Sequence, residues 1–265
     1  MIQTSDAAPA DTLSKVAKVT LVFWIMKILA TTLGETGGDF LSMTLALGYY
    51  AGLAVTFVML VIVLFFQITA SRYHPVLFWG SIITTTMAGT EISDLLDRSL
   101  GLGYIRGSII LALGLGLSLA IWYYRDRDLS VNRIVRRDAE IMFWFAVLFS
   151  NSLGTAFGDY LVDNIGLTFI QGALVTACVI VVVGVVHYLT RANDVLLFWS
   201  AFIFTRPFGA TFGDFLTKPA ASGGLNLPRE YASLVTLLLL AAILFAVEAT
   251  NARRRSVLQA ADLLK

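Results

Sequence analysis

One segment occurs four times in this chain. It reads Phe23-Trp24 with Gly34 and Asp39, then Phe78-Trp79 with Gly89 and Asp94. It returns as Phe143-Trp144 with Gly154 and Asp159, and last as Phe198-Trp199 with Gly209 and Asp214. In every copy the glycine lies 11 residues, and the aspartate 16 residues, after the phenylalanine. A second small residue precedes each aspartate: Gly38, Ser93, Gly158 and Gly213. A fixed internal period dictates architecture before any local propensity does. The copies are spaced by 55, 65 and 55 residues, so the chain reads as two tandem halves of two copies each.

The repeats lie in strongly apolar sequence. Of 265 residues, 57% are hydrophobic and 14% charged, a balance that points to a polytopic membrane protein. The net charge of +1 argues against a nucleic-acid partner, which requires a basic surface. One cysteine, Cys178, and two histidines, His74 and His187, exclude a disulfide framework and a Cys/His metal cage. Cys178, within a run of Val, Ile and Ala, reads as a small packing residue. Lys27 interrupts the first apolar run, which argues against a cleaved signal peptide.

Eight spans are expected, at about 19–40, 49–70, 76–96, 105–124, 141–161, 168–189, 195–215 and 230–249. Each has about 20 residues, enough to cross ~30 Å of hydrocarbon as a helix. They are apolar without alternation, which favours helices over a barrel. The expected fold is an all-α membrane protein of four helical hairpins in parallel orientation, odd helices central and even helices peripheral. Its parts are an N-terminal tail (1–18), a first half (19–124), a charged linker (125–140), a second half (141–250) and a C-terminal tail (251–265). Residues 1–14 read as loose. Thirteen Lys and Arg fall in the termini and inter-repeat loops and four (Arg98, Arg106, Lys218, Arg229) in the opposite loops. The positive-inside rule then puts both termini and the linker in the cytoplasm, with the Phe-Trp pairs near that interface. The linker, Arg125 to Arg137, reads as a solvated connector resting on anionic headgroups.

The motif residues carry a physical logic. Small residues four apart let helix backbones approach closely in lipid. The aspartates that follow, Asp39, Asp94, Asp159 and Asp214, are placed to form an acidic ring at the outer mouth, a device that selects cations. Capping of the following loops is the simpler role. Glu35 and Glu91 lie deeper, and an ionisable group inside a span marks a functional site. Lys27 and Arg206 oppose them, with Arg206 standing where the other copies have Thr31, Thr86 and Asn151. Internal neutralisation of two acids by two bases is one reading. The other is a mid-membrane substrate path lined by Thr31, Thr32, Thr86, Asn151 and Ser152. There the carboxylates of Glu35, Asp39, Glu91, Asp94, Asp159 and Asp214 bind a cation. Oxygen ligands without soft ones suit Mg, Ca or Mn, or a proton or alkali ion, over Cu or Zn, with a basic group as internal counter-ion. Glu91-Ile92-Ser93-Asp94 is similar to the Glu-apolar-Gly-Asp motif of a family of manganese or calcium exchangers, with Leu95 where that family has a basic residue.

The whole pattern, from about 19 to 249, resembles a family of bacterial membrane proteins built from four tandem two-helix repeats of unknown function. Each repeat there carries a marker tryptophan, here Trp24, Trp79, Trp144 and Trp199. The resemblance implies an eight-helix inner-membrane protein and supplies no catalytic residues. The expected activity is that of a transporter or channel for a hard inorganic cation, with manganese export the leading case. No cofactor is expected beyond a divalent ion as substrate. The expected partners are that ion and the lipid bilayer, with a homo-oligomer as an alternative to the monomer. A carrier of an anion or small organic solute using Arg206 and Lys27 is the main rival, and a non-transporting scaffold or sensor the next. No nucleophile–base pair, phosphate loop or His-metal motif lies in the spans, so an enzyme is not expected.

Overall fold

A computed structural model describes residues 14–131 and 134–262. The described residues form eight α-helices: α1 (Leu21–Asp39), α2 (Gly48–Thr69), α3 (Pro75–Asp94), α4 (Gly103–Asp126), α5 (Arg137–Asp159), α6 (Phe169–Leu189), α7 (Asp194–Thr217) and α8 (Arg229–Asp262). Six of them, all but α1 and α3, are long and apolar enough to cross a membrane. The other two are diluted by threonine, glycine and charge, and most of their residues are enclosed by neighbouring helices.

Local chemistry sets the helix ends. Thr20 caps α1 by accepting from the Phe23 N–H, and Asn193 caps α7 by accepting from Val195 and Leu196. Thr168 and Gln171 form a reciprocal capping box on α6, and Pro75 opens α3, where its missing N–H is no loss. After the motif aspartate, α1, α3 and α5 each widen into a five-residue π turn: Phe40–Thr44, Leu95–Ser99 and Tyr160–Asn164. The fourth copy has none; α7 stays α-helical to Thr217.

The four odd helices form a closed inner ring, α1 against α3, α3 against α5, α5 against α7 and α7 against α1. The even helices lie outside it. They pack little or not at all on the odd helix of their own repeat, where four self-contained hairpins would pair closely; α8 makes a small contact with its own α7. Instead α2 packs on α3, α4 on α5, α6 on α7, and α8 closes the circle on α1. Each repeat therefore completes its packing only through the next. The glycines explain how the inner ring closes so tightly. A Cβ at Gly34 would strike Thr86, one at Gly89 would meet Asn151, one at Gly154 Arg206, and one at Gly209 Thr31. In all four joins the motif glycine receives the same position of the following copy, eight residues after its phenylalanine.

The apolar core occupies the end of the ring where the helices begin. Phe23, Phe78, Phe143 and Phe198 meet there, with the Phe23 ring 6.4 Å from Phe78 and 6.2 Å from Phe198. Trp79, Trp144 and Trp199 are buried among them, each packed edge-on against its neighbouring phenylalanine.

The segment before α1 is not a free tail. Lys15, Val16 and Ala17 are buried, and the Lys15 N–H donates to the Ile134 carbonyl at 3.0 Å. The Lys15 ammonium pairs with Glu140, whose other oxygen accepts from Gln67 at 2.9 Å. Residues 1–13, with Arg133 and Lys265, lie outside the described residues. The linker differs from the expected solvated connector in the same way. It runs only from Arg127 to Arg136, and Val131 and Ile134 are buried in the core. The C-terminal stretch continues α8 to Asp262 where a tail was expected. Cys178 is exposed on the outer side of α6, so it is not a packing residue.

Candidate functional site

A stripe at every fourth residue runs down each odd helix and faces the centre of the ring. In α1 it is Phe23, Lys27, Thr31, Glu35 and Asp39. Its counterparts are Phe78, Ile82, Thr86, Thr90 and Asp94 in α3; Phe143, Val147, Asn151, Thr155 and Asp159 in α5; and Phe198, Phe202, Arg206, Ala210 and Asp214 in α7. All of them are buried. A four-residue step overshoots the helical turn of about 3.6 residues, so such rows run oblique to the axis and meet where helices cross at an angle, and small residues at the crossing permit close approach. The result is a stack of five layers.

Below the phenylalanines, the Lys27 ammonium sits 4.0 Å over the Phe202 ring and donates to Asn151 Oδ1 at 3.2 Å. Asn151 Nδ2 in turn donates to Thr85 and Thr86, each at 3.2 Å. Thr31 donates back to the Lys27 carbonyl at 3.0 Å and across to the Thr205 carbonyl at 3.2 Å. Next comes Arg206, fully buried. Its Nη2 lies 2.7 Å from Glu35 Oε2, 2.6 Å from Thr90 Oγ1 and 2.6 Å from Thr155 Oγ1. Two N–H bonds are thus shared among three oxygens, while Nε and Nη1 have no partner.

The last layer holds the four aspartates, and each is tied to a cation. Arg98 bridges Asp94 at 3.2 Å and Asp159 at 3.0 Å. Lys218 bridges Asp39 at 2.9 Å and Asp214 at 3.1 Å, and Arg229 lies 3.4 Å from Asp39. The expected ring of acids at a mouth is therefore a closed, ion-paired layer. Burial alone would lower the Lys218 ammonium, but Asp214 and Asp39 outweigh it and hold it above its ordinary range. Glu35, Asp39 and Asp214 come together: one oxygen of each lies within 4.8 Å of the others. That spacing is compatible with a shared hard cation held by oxygen.

The remaining expected residues divide. Glu91 is fully buried, yet neither of its oxygens has a hydrogen-bond partner; its carboxylate fills the space left by Gly52. Of the two acid–base pairs that neutralisation requires, Arg206 with Glu35 forms, whereas Lys27 turns to Asn151 and Glu91 has no basic partner within ion-pair distance among the described residues. Thr32 and Ser152 sit beside the axis, Ser152 donating to the Leu148 carbonyl at 3.0 Å and Thr32 Oγ1 unpartnered. Sequence reasoning missed Arg98, Lys218, Thr90 and Thr155. A signal existed for each: Arg98 and Lys218 stand four residues after a motif aspartate, and Thr90 and Thr155 align with Glu35.

A family described as a Repeat of Unknown Function (DUF347) matches this chain four times, at residues 22–73, 77–128, 142–193 and 197–252. The chain belongs to that family. Each match opens one residue before a motif phenylalanine, so the family's repeat and the unit described above are the same. Neither a curated protein nor a solved structure matches the chain.

Proposed function

We propose that this protein is a multi-pass carrier of a hard inorganic cation, held during passage by Glu35, Asp39 and Asp214. The observation that carries the reading is the meeting of three buried carboxylates from α1 and α7 on the axis of a helix ring. Buried carboxylates in lipid are costly unless they do something, and oxygen donors of this kind favour Mg, Ca or Mn over softer metals. On this reading all eight helices span a bacterial inner membrane with both termini cytoplasmic. α1 and α3 tolerate their polarity because the other helices shield them. Manganese is the first ion to test, in the direction of export.

Purified protein in liposomes is expected to move Mn2+ saturably. Glu35→Gln, Asp39→Asn and Asp214→Asn should each lower the flux at least about tenfold, on the order of one lost charged contact. Equal flux in all three variants would remove the cation reading. One observation favours the rival carrier of an anion or organic acid: Arg206 Nε and Nη1 are buried without partners. Arg206→Gln separates the two, since the rival requires loss of substrate binding and the cation reading requires mainly loss of stability. A protein that moves neither class of ion is a scaffold or sensor.

A further inference from the structure

The geometry assigns Lys218 a role as a tethered counter-cation: its ammonium occupies the carboxylate cluster until a divalent ion displaces it. This rests on the cation reading above and gives that site its selectivity.

The fourth copy departs from the others at this one place. In α1, α3 and α5 the residue four after the motif aspartate (Met43, Arg98, Asp163) lies in a π turn. In α7 the helix instead ends, and Lys218 is extended, with φ −72° and ψ 156°. The connection from Asp214 to α8 is longer than its counterparts in the other three copies, and this insertion folds back on Lys218. The Lys218 carbonyl accepts from the Asn226 N–H at 3.0 Å, and Leu225 and Leu227 donate to Phe215 and Leu216 at 2.7 and 2.9 Å. Gly223 turns the chain at φ +85°, and a Cβ on Gly224 would strike the Lys218 carbonyl. The insertion thus fixes the backbone of one lysine.

That lysine reaches two of the three clustered carboxylates, Asp39 Oδ2 at 2.9 Å and Asp214 Oδ1 at 3.1 Å. Asp214 Oδ1 is buried, has no hydrogen bond of good geometry and faces this ammonium at 3.1 Å, so it is the oxygen that an ion in the ammonium's place would meet. Glu35 is already matched by Arg206. Lys218 therefore serves both of the other acids, and Arg229 pairs with Asp39 as well. A monovalent ion that replaced the ammonium would only exchange one positive charge for another. A divalent ion gains a charge, so the lysine discriminates in its favour.

The test is equilibrium binding of Mn2+, and of Na+ in competition, to the full chain in detergent. Lys218→Met is expected to bind Mn2+ about tenfold tighter or more and to become sensitive to Na+, while Lys218→Arg stays near the parent. Gly224→Ala keeps the charge but pushes the Lys218 backbone away, and should tighten binding in the same direction if Lys218→Met does not fold. Saturable binding by the parent with unchanged or weaker binding in the folded variants overturns the role of Lys218 alone. No saturable binding in the parent or either variant overturns the cation reading, and this one with it.

Discussion

Identical residues in this chain have opposite roles, and only their surroundings separate them. Gly209 and Gly184 both lie within helices. A Cβ at Gly209 would fall on Thr31, whereas nothing lies within 4 Å of one at Gly184. Gly209→Ala should then cost about 1–3 kcal/mol through overpacking. Gly184→Ala should gain a few tenths to about 1 kcal/mol from helix propensity. Thermal unfolding in detergent decides it, and a stabilised Gly209→Ala would show that the close approach of α7 to α1 is not as described. The motif glycines were legible in the sequence because all four copies keep them. The residues between them were not read as a stripe, because Lys27, Ile82, Val147 and Phe202 share one layer but no chemistry. What the copies hold in common is the frame, and what they vary is the contents of the axis.

At the scale of elements, seven of the eight helices lie within four residues of the spans read from apolarity. Outer and inner helices alike run for about 20 residues, the length that crosses a bilayer, although α1 and α3 are less apolar than the rest. The eighth ran on, since Arg253 reads as the end of a span but does nothing to stop a helix. The segment at 14–17 escaped the reading for a different reason. Lys15 beside Lys18 has the composition of a flank, and its partner Glu140 is 125 residues away. Their burial makes a definite claim. Lys15→Met leaves the Glu140 carboxylate without its cation and should cost about 3–5 kcal/mol, whereas the paired change with Glu140→Gln should recover a good part of it. Unfolding of the two single variants and the double variant forms a cycle, and strictly additive losses would mean that the pair contributes nothing as a pair.

Among the described residues, side chains fill both ends of the axis. Four buried phenylalanines with their tryptophans fill one end, where the docked segment and linker add Val16, Ala17, Val131 and Ile134 to the same core. The four aspartates fill the other end, locked by Arg98 between the second and third copies and by Lys218 between the fourth and first. Between the two closures lie Lys27 and Arg206, each buried and each held by a side chain from another helix. A passive pore needs weak sites that an ion leaves as readily as it enters, and a continuous wet path. Here each layer is side chain packed on side chain, and an ion reaching Glu35 must first part Lys218 from Asp39. Movement of an ion therefore requires the helices to change their contacts, a step on the microsecond-to-millisecond scale or slower. The protein in a planar bilayer should show no unitary conductance steps in Mn2+ or Na+ under an applied potential. In liposomes its Mn2+ flux should saturate with concentration. Discrete openings of channel size would mean that the packed axis is only one state of a gated pore, and the carrier mechanism would have to be abandoned.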